Sequence, residues 1–355
     1  MRAADRFARL IAATGPISVA QFMAESNARY YDSRDPLGGA GDFITAPEIS
    51  QMFGELIGLW LADMWDHAGR PDPVYYVEYG PGRGTLARDA LGAARKFGLN
   101  PQVHFVEASS ALRAAQQRLF ATAQWHHDGA SLPDDAPLLI VANEFLDALP
   151  VRQLVRTPAG WRERMVGLEA GRLVPVAGDQ PMDAAVPPDH DTAHDGAIIE
   201  TCPAAAAVVG EIARRLASQG GAALVIDYGH VCPAYGSSLQ AVRAHAKVDP
   251  FAWPGEADLT AHVDFSQFPV IAQRAGAHWL GTVEQGAFLR ALGLDARAAA
   301  LCRAVPHQAD TIRAAAQRLA APDAMGVLFK VMGLGAPGWA SGAGFPISPA
   351  SDALA

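Results

Sequence analysis

Val77-Glu78-Tyr79-Gly80-Pro81-Gly82-Arg83-Gly84-Thr85-Leu86 is the stretch on which the fold turns. Val74 to Val77 is apolar and β-prone, three glycines then alternate with other residues, and a helical pattern starts at Thr85, so the stretch reads as strand, turn, helix. Glycine is needed where backbone takes positive φ or lies against a ligand with no Cβ in the way. The following helix aims its first amides at the same place. The dinucleotide fingerprint G-x-G-x-x-G would put a third glycine at position 85, where Thr85 stands. The pattern here is E-x-G-x-G-x-G. Its acid, Glu78, suits a ligand with a cationic amino-acid moiety better than one with a pyrophosphate.

That turn resembles motif I of the class I S-adenosylmethionine (SAM) methyltransferases. A glycine-rich turn is also compatible with a plain tight loop, so context has to supply the rest.

A chain of 355 residues can bury a full core as one large α/β domain or two modest ones, and 50% hydrophobic with 18% charged residues is the balance of a folded globular protein. No apolar run reaches the length of a membrane span, and the start reads as an amphipathic helix rather than a signal peptide. A cytoplasmic protein is therefore expected. The formal charge of −9, without a basic cluster, points away from nucleic acid and toward a cationic partner. Cys202, Cys232 and Cys302 match neither a disulfide framework nor a zinc site. No metal is expected.

Along the chain, residues 3–28 read as two short helices broken at Gly15-Pro16, and 30–45 as a loop of functional length. Thr45-Ala46-Pro47-Glu48 fits a capping box that opens one long helix. Its stripe, from Ile49 through Met52, Phe53, Leu56, Ile57, Trp60 and Leu61 to Met64, is read as core. The loop in front, Thr45 included, is placed to close over whatever the glycine turn binds. Glu107 ends the next strand, 23 residues after Gly84 (107 − 84), near the spacing of a ribose-binding acid; a solvated strand end is the alternative, but strand ends beside a glycine turn line the switch-point crevice, which favours the functional role. Asp128 follows a third strand and suits either an adenine amino group or a turn. His126 and His127 have no partner histidines at metal-ligand spacing.

The fourth strand, 137–142, is a continuous apolar run, the mark of burial on both faces. It ends in Asn143-Glu144-Phe145-Leu146-Asp147, where chemistry is expected in an open parallel sheet. Helix capping explains Asp147 well, and Asn143 with Glu144 less well. Residues 151–176 read as a β meander, 177–196 as a surface loop, 222–226 as a fifth parallel strand and 235–268 as a long irregular segment. A last strand is expected at 325–334, followed by a loosely attached tail.

Gly41 to Glu48, Glu78 to Gly84, Asn143 to Pro150, Asp227-Tyr228-Gly229 and Pro254 to Phe265, in that order, resemble the successive signatures of the MidA family, whose mitochondrial members are complex I assembly methyltransferases. The resemblance implies a Rossmann-like α/β sheet with an N-terminal helical portion and an inserted β meander. Residues 1–70 would be a helical cap with a cofactor-covering loop. Residues 71–335 would form the core, with inserts at 151–196 and 235–268, and 336–355 a flexible tail. It implies transfer of a methyl group from SAM to arginine of a protein, a complex I subunit. Glu78, Gly80, Gly82 and Gly84 would hold the methionine end of SAM, Glu107 its ribose, Asp128 its adenine region, and Asn143 would sit next to the sulfonium. Thr45 would belong to the covering loop.

A guanidinium is a poor nucleophile because it stays protonated, with a pKa above about 12. A bidentate carboxylate can orient it and localise its charge away from the attacking nitrogen. Glu144 and Asp147 are the catalytic candidates. The competing readings are a methyltransferase for another protein or a small molecule, and an assembly chaperone that binds SAM without turnover. Thr85 opposes an NAD-dependent dehydrogenase.

Overall fold

The computed structural model describes residues 3–33, 45–186, 193–339 and 342–346. These fall into two compact units. One is drawn from Ile44–Phe145, Ala207–Gly229 and Gln267–Ala355, the other from Met1–Phe43, Leu146–Ala206 and His230–Ser266.

The first unit is built on seven strands: β1 (Tyr75–Tyr79), β2 (Gln102–Val106), β3 (Gln124–His126), β4 (Leu138–Asn143), β5 (Gly221–His230), β6 (His278–Glu284) and β7 (Phe329–Gly335). They hydrogen bond in the order β6-β7-β5-β4-β1-β2-β3. β1 to β5 pair in parallel, whereas β7 runs antiparallel to both β5 and β6. Every residue of β1 and β4 is buried, as the unbroken apolar run of β4 requires of a strand covered on both faces. The chain leaves β1 for β2 on one side and reaches β4 on the other. The carboxyl ends of these strands therefore border the crevice where open parallel sheets take their ligands.

The apolar stripe lies on the helix Gln51–His67, and Met52, Phe53, Ile57, Trp60 and Leu61 are fully buried in the core of this unit. A Cβ on Gly58 would lie 2.0 Å from the Ala90 carbonyl oxygen, so this helix meets Thr85–Ala94 backbone to backbone. The single helix expected from Thr45 is two. A short turn, Ala46–Ile49, ends at Ser50, whose extended backbone breaks the helix and whose Oγ accepts from the Met52 amide at 3.2 Å to start the next. Strand β6 has no counterpart among the strands read along the chain, and the last expected strand begins only at Phe329, after a helical turn over Met325–Leu328. The tail is not loose throughout its described part. Phe345 is 9% exposed, with ring contacts to Trp60 at 6.3 Å and Phe288 at 5.3 Å.

The other unit joins the helices Ala3–Thr14 and Val19–Ser33 to two antiparallel sheets. In the larger, Ile17–Ser18, Gly160–Glu169, Arg152–Thr157 and Ile198–Thr201 pair in that order, with Arg172–Pro181 beside Gly160–Glu169. This is the expected meander, extended by Ile17–Ser18 at the Gly15-Pro16 break and by a third strand that runs to Pro181 into the expected surface loop. Residues 235–268, expected to be irregular, hold a second sheet in the order Ala246–Val248, Gln240–Arg243, Asp258–Thr260. Phe7, Phe22, Met23, Val166, Leu239 and Leu259 share one apolar cluster, which is why the first helices belong with the inserts. The boundary expected at residue 70 is accordingly replaced by one near residue 44, because the Gln51–His67 stripe packs into the seven-stranded unit instead. Among the described residues no helix is long and apolar enough to cross a membrane.

Candidate functional site

The glycine turn is left-handed at every glycine: φ is +61° at Gly80, +54° at Gly82 and +80° at Gly84. The alternation seen in the sequence is thus a backbone requirement, since other residues pay for positive φ. Gly80 donates to the Val106 carbonyl at 2.9 Å and Gly84 to the Pro81 carbonyl at 2.8 Å, which fixes the turn against the end of β2. A Cβ on Gly80 would lie 2.8 Å from Cδ2 of Phe145.

Thr85, which broke the dinucleotide fingerprint, has a use of its own. Its hydroxyl donates to Glu48 Oε1 at 2.6 Å. Glu48 is therefore not the return arm of a capping box, and Thr45, at the N-cap of Ala46–Ile49, makes no side-chain cap. The Ala46 amide donates instead to Glu144 Oε1 at 2.9 Å. The short helix is thus tied at one end to the glycine turn and at the other to the end of β4. Residues 41–44 of the expected covering loop lie outside the described residues.

Asn143 closes β4 opposite Ile226 of β5, and the Glu144 amide donates to the Ile226 carbonyl at 2.8 Å. Glu144 itself adopts φ +49°, a conformation uncommon outside glycine and one that recurs at functional sites. Asn143 Nδ2 reaches Glu144 Oε1 at 3.3 Å, while Asn143 Oδ1 is buried with no hydrogen-bond partner among the described residues. An orphaned buried acceptor of this kind calls for a partner.

Glu78 is buried in β1 and accepts from the Tyr76 hydroxyl at 2.5 Å. Burial pushes its carboxyl up to about 8, against the smaller lowering effect of the Tyr76 hydrogen bond. Glu107 lies just past β2, is 8% exposed, and is held at both oxygens. Oε1 accepts from the Ser109 amide at 2.8 Å and Oε2 from Gln116 Nε2 at 3.2 Å. Burial raises its carboxyl above the usual range, and these two hydrogen bonds pull it back. Gln116, which the sequence reading passed over, also donates to the Gly82 carbonyl at 2.7 Å. Its only sequence signal is its place seven residues after the helix cap Ser109, on the same helical face.

Asp128 is exposed, and its side chain accepts from the Ala130 amide at 3.0 Å, the turn-forming arrangement. His126 finds a partner that local spacing hides: its Nε2 lies 3.0 Å from Nδ1 of His104, on the neighbouring strand β2. Burial lowers His104 to about 4 and lowers His126 from its ordinary value as well. Among the described residues no cluster suits a metal ion.

The unit therefore brings Glu78, Gly80, Gly82, Gly84, Glu107, Asn143 and Glu144 to the carboxyl ends of β1, β2 and β4. Asp147, expected to act beside Glu144, belongs to the other unit. There it is 6% exposed, its carbonyl accepts from the Ala261 amide at 3.0 Å, and its charge bears on Tyr31, whose hydroxyl donates to Asp258 at 3.0 Å.

Residues 56–283 match the family described as "Putative S-adenosyl-L-methionine-dependent methyltransferase". The chain is 37% identical over 366 residues to a Drosophila melanogaster protein named protein arginine methyltransferase NDUFAF7 homolog, mitochondrial, covering 91% of this chain and 82% of that protein. The Mus musculus protein arginine methyltransferase NDUFAF7 is 37% identical over 325 residues, covering 81% and 73%. A Burkholderia thailandensis crystal structure with bound S-adenosyl-homocysteine superposes with a TM-score of 0.82 at 30% identity, over 94% of this chain and 91% of that one.

Proposed function

We propose, from the premise that this chain belongs to the MidA family of S-adenosylmethionine-dependent methyltransferases, that it methylates an arginine side chain of a protein and that its acceptor is a respiratory complex I subunit. The relatives named protein arginine methyltransferase support the acceptor class. The observation that carries the reading at residue level is the end of β4: an orphaned amide oxygen on Asn143 beside the carboxylate of Glu144, on left-handed backbone.

These residues fit the cofactor. The turn follows left-handed backbone at all three glycines, and Asn143 Oδ1 offers a buried acceptor dipole to a cationic centre. Glu78 and the three glycines would hold the amino-acid end, Glu107 the ribose hydroxyls and Asp128 the adenine side, with Thr45 in the covering segment. SAM supplies, when bound, an already activated sulfonium methyl group. What the protein must add is orientation of the acceptor and exclusion of water, worth up to about 7–11 kcal/mol in ideal cases.

Glu144 has the chemistry to orient a guanidinium and to draw its charge from the attacking nitrogen. Its second task, capping Ala46–Ile49, makes its position depend on that helix. Asp147 is the second acid in this proposal. Acidic residues in both roles accord with the formal charge of −9.

The test is direct. The protein is incubated with labelled SAM and lysate from a strain lacking it, and labelled protein is identified by mass spectrometry. Label on arginine of one complex I subunit is expected. Label on another residue type or on a metabolite would overturn the acceptor, and cofactor binding with no label in any fraction would favour an assembly chaperone.

A further inference from the structure

The helix Ser110–Leu119 grips one residue of the chain three times. Ser109, its N-cap, presents its amide to Glu107 Oε1, and one helical turn on, the Arg113 guanidinium donates to the Glu107 carbonyl and to the His126 carbonyl at 3.1 Å. One turn further, Gln116 donates to Glu107 Oε2. Positions 109, 113 and 116 recur at four and three residues, so they share a face.

Gln116 is fully buried, and its polar atoms all have partners. Trp125 Nε1, a group that can only donate, gives its hydrogen to Gln116 Oε1 at 2.8 Å. That settles which way the amide faces. Nε2 must then point its two hydrogens at acceptors, and the two it meets are Gly82 O and Glu107 Oε2. These belong to two different parts of the cofactor crevice: the middle of the glycine turn and the acid past β2.

We infer that Gln116 is a positioning residue that fixes the Glu107 carboxylate and the Gly82 carbonyl relative to each other, and so sets selectivity for the ribose hydroxyls of the cofactor. The inference rests on the reading that Glu107 accepts those hydroxyls. A carboxylate held at both oxygens presents its remaining lone pairs in one direction, whereas a free one would spread them over several rotamers. No shorter side chain spans the three partners. Gln116→Glu would place a second carboxylate against Glu107 and the Gly82 carbonyl.

The experiment uses the full-length protein with S-adenosyl-homocysteine and its 2′-deoxy analogue, bound calorimetrically to wild type, Gln116→Met, Glu107→Gln and the double variant. Circular dichroism and thermal unfolding check that each is folded. Wild type should prefer the 2′-hydroxyl form by at least about tenfold, and Gln116→Met should cut that preference to within about threefold while still binding both. In the Glu107→Gln background, the Gln116→Met change should no longer alter the preference. Undiminished preference in a folded Gln116→Met protein would overturn the inference. An equal loss of affinity for both ligands would assign Gln116 to the glycine turn alone and would overturn it as well. If Glu107→Gln leaves the preference intact, the reading of Glu107 fails, and that result is visible before Gln116 is considered. If Gln116→Met does not fold, Gln116→Asn, which keeps the amide but not its reach, replaces it with the same expected loss.

Discussion

Thr85 donates to Glu48 across 37 residues of sequence, and the residue that breaks a dinucleotide fingerprint is thereby the one that fastens the short helix Ala46–Ile49 to the glycine turn. A hydrogen bond to a carboxylate contributes about 1.5–3 kcal/mol, less where water reaches it. Thr85→Val should lower stability by about 1–2 kcal/mol, read from denaturant unfolding. It should also weaken S-adenosyl-homocysteine binding several-fold. A Thr85→Val, Glu48→Ala double variant should lose less than the sum of the two single losses, because each single change removes the same bond. Fully additive losses would show that the two residues act separately.

Glu144 has two jobs in this account, and two substitutions separate them. Glu144→Gln keeps an oxygen for the Ala46 amide and should melt near wild type, bind S-adenosyl-homocysteine within about threefold and lose at least about a hundredfold in turnover. Glu144→Ala should also lose the cap, for a further cost of about 0.5–2 kcal/mol. Normal turnover by Glu144→Gln would remove this acid from the mechanism.

Glu78 makes binding and stability depend on pH in opposite senses. Burial raises its carboxyl from the ordinary 4.5 to about 8 in the folded protein. Its contribution to stability is therefore complete below pH 4.5 and lost as pH rises toward 8. Glu78→Gln, which cannot ionise, should melt above wild type at pH 8.5 and level with it at pH 4. A cationic ligand group favours the ionised form, so S-adenosyl-homocysteine should bind more tightly from pH 6 to pH 8, with proton release measurable in buffers of different ionisation enthalpy. Glu78→Gln should flatten that slope. A slope unchanged in the variant would take Glu78 away from the ligand's ammonium group.

Gly80→Ala tests the turn itself. Left-handed backbone costs a residue with a Cβ about 1–2 kcal/mol, and the new methyl would lie 2.8 Å from the Phe145 ring. Affinity for S-adenosyl-homocysteine should fall by at least about tenfold. Adding Phe145→Leu should recover part of the lost melting temperature by giving room, but not the part owed to φ. Full recovery would mean that the ring alone demands glycine.

The amino-acid sequence by itself determined the strand–turn–helix at Gly80 to Gly84, the buried run of β4 and the placement of Asn143 and Glu144 at its end. These are readable because each is set by short-range rules: period, β-branching, and the φ that only glycine takes cheaply. It also determined the family, since ordered motifs survive where the partners they meet cannot be seen. Only the tertiary structure decided what those residues touch. Glu48 looked like a capping-box acid because Thr45 stands three residues before it, yet Thr85 claims it and Glu144, 98 residues away, caps the Ala46 amide. Gln116 is one of many glutamines in sequence and becomes a brace only where Gly82, Glu107 and Trp125 converge on it. The division into units likewise escaped a reading along the chain, because the apolar cluster of the second unit is filled from three separate segments. Side-chain hydrogen bonds and apolar contacts between distant segments form by proximity in space, and local sequence pattern carries no record of that proximity.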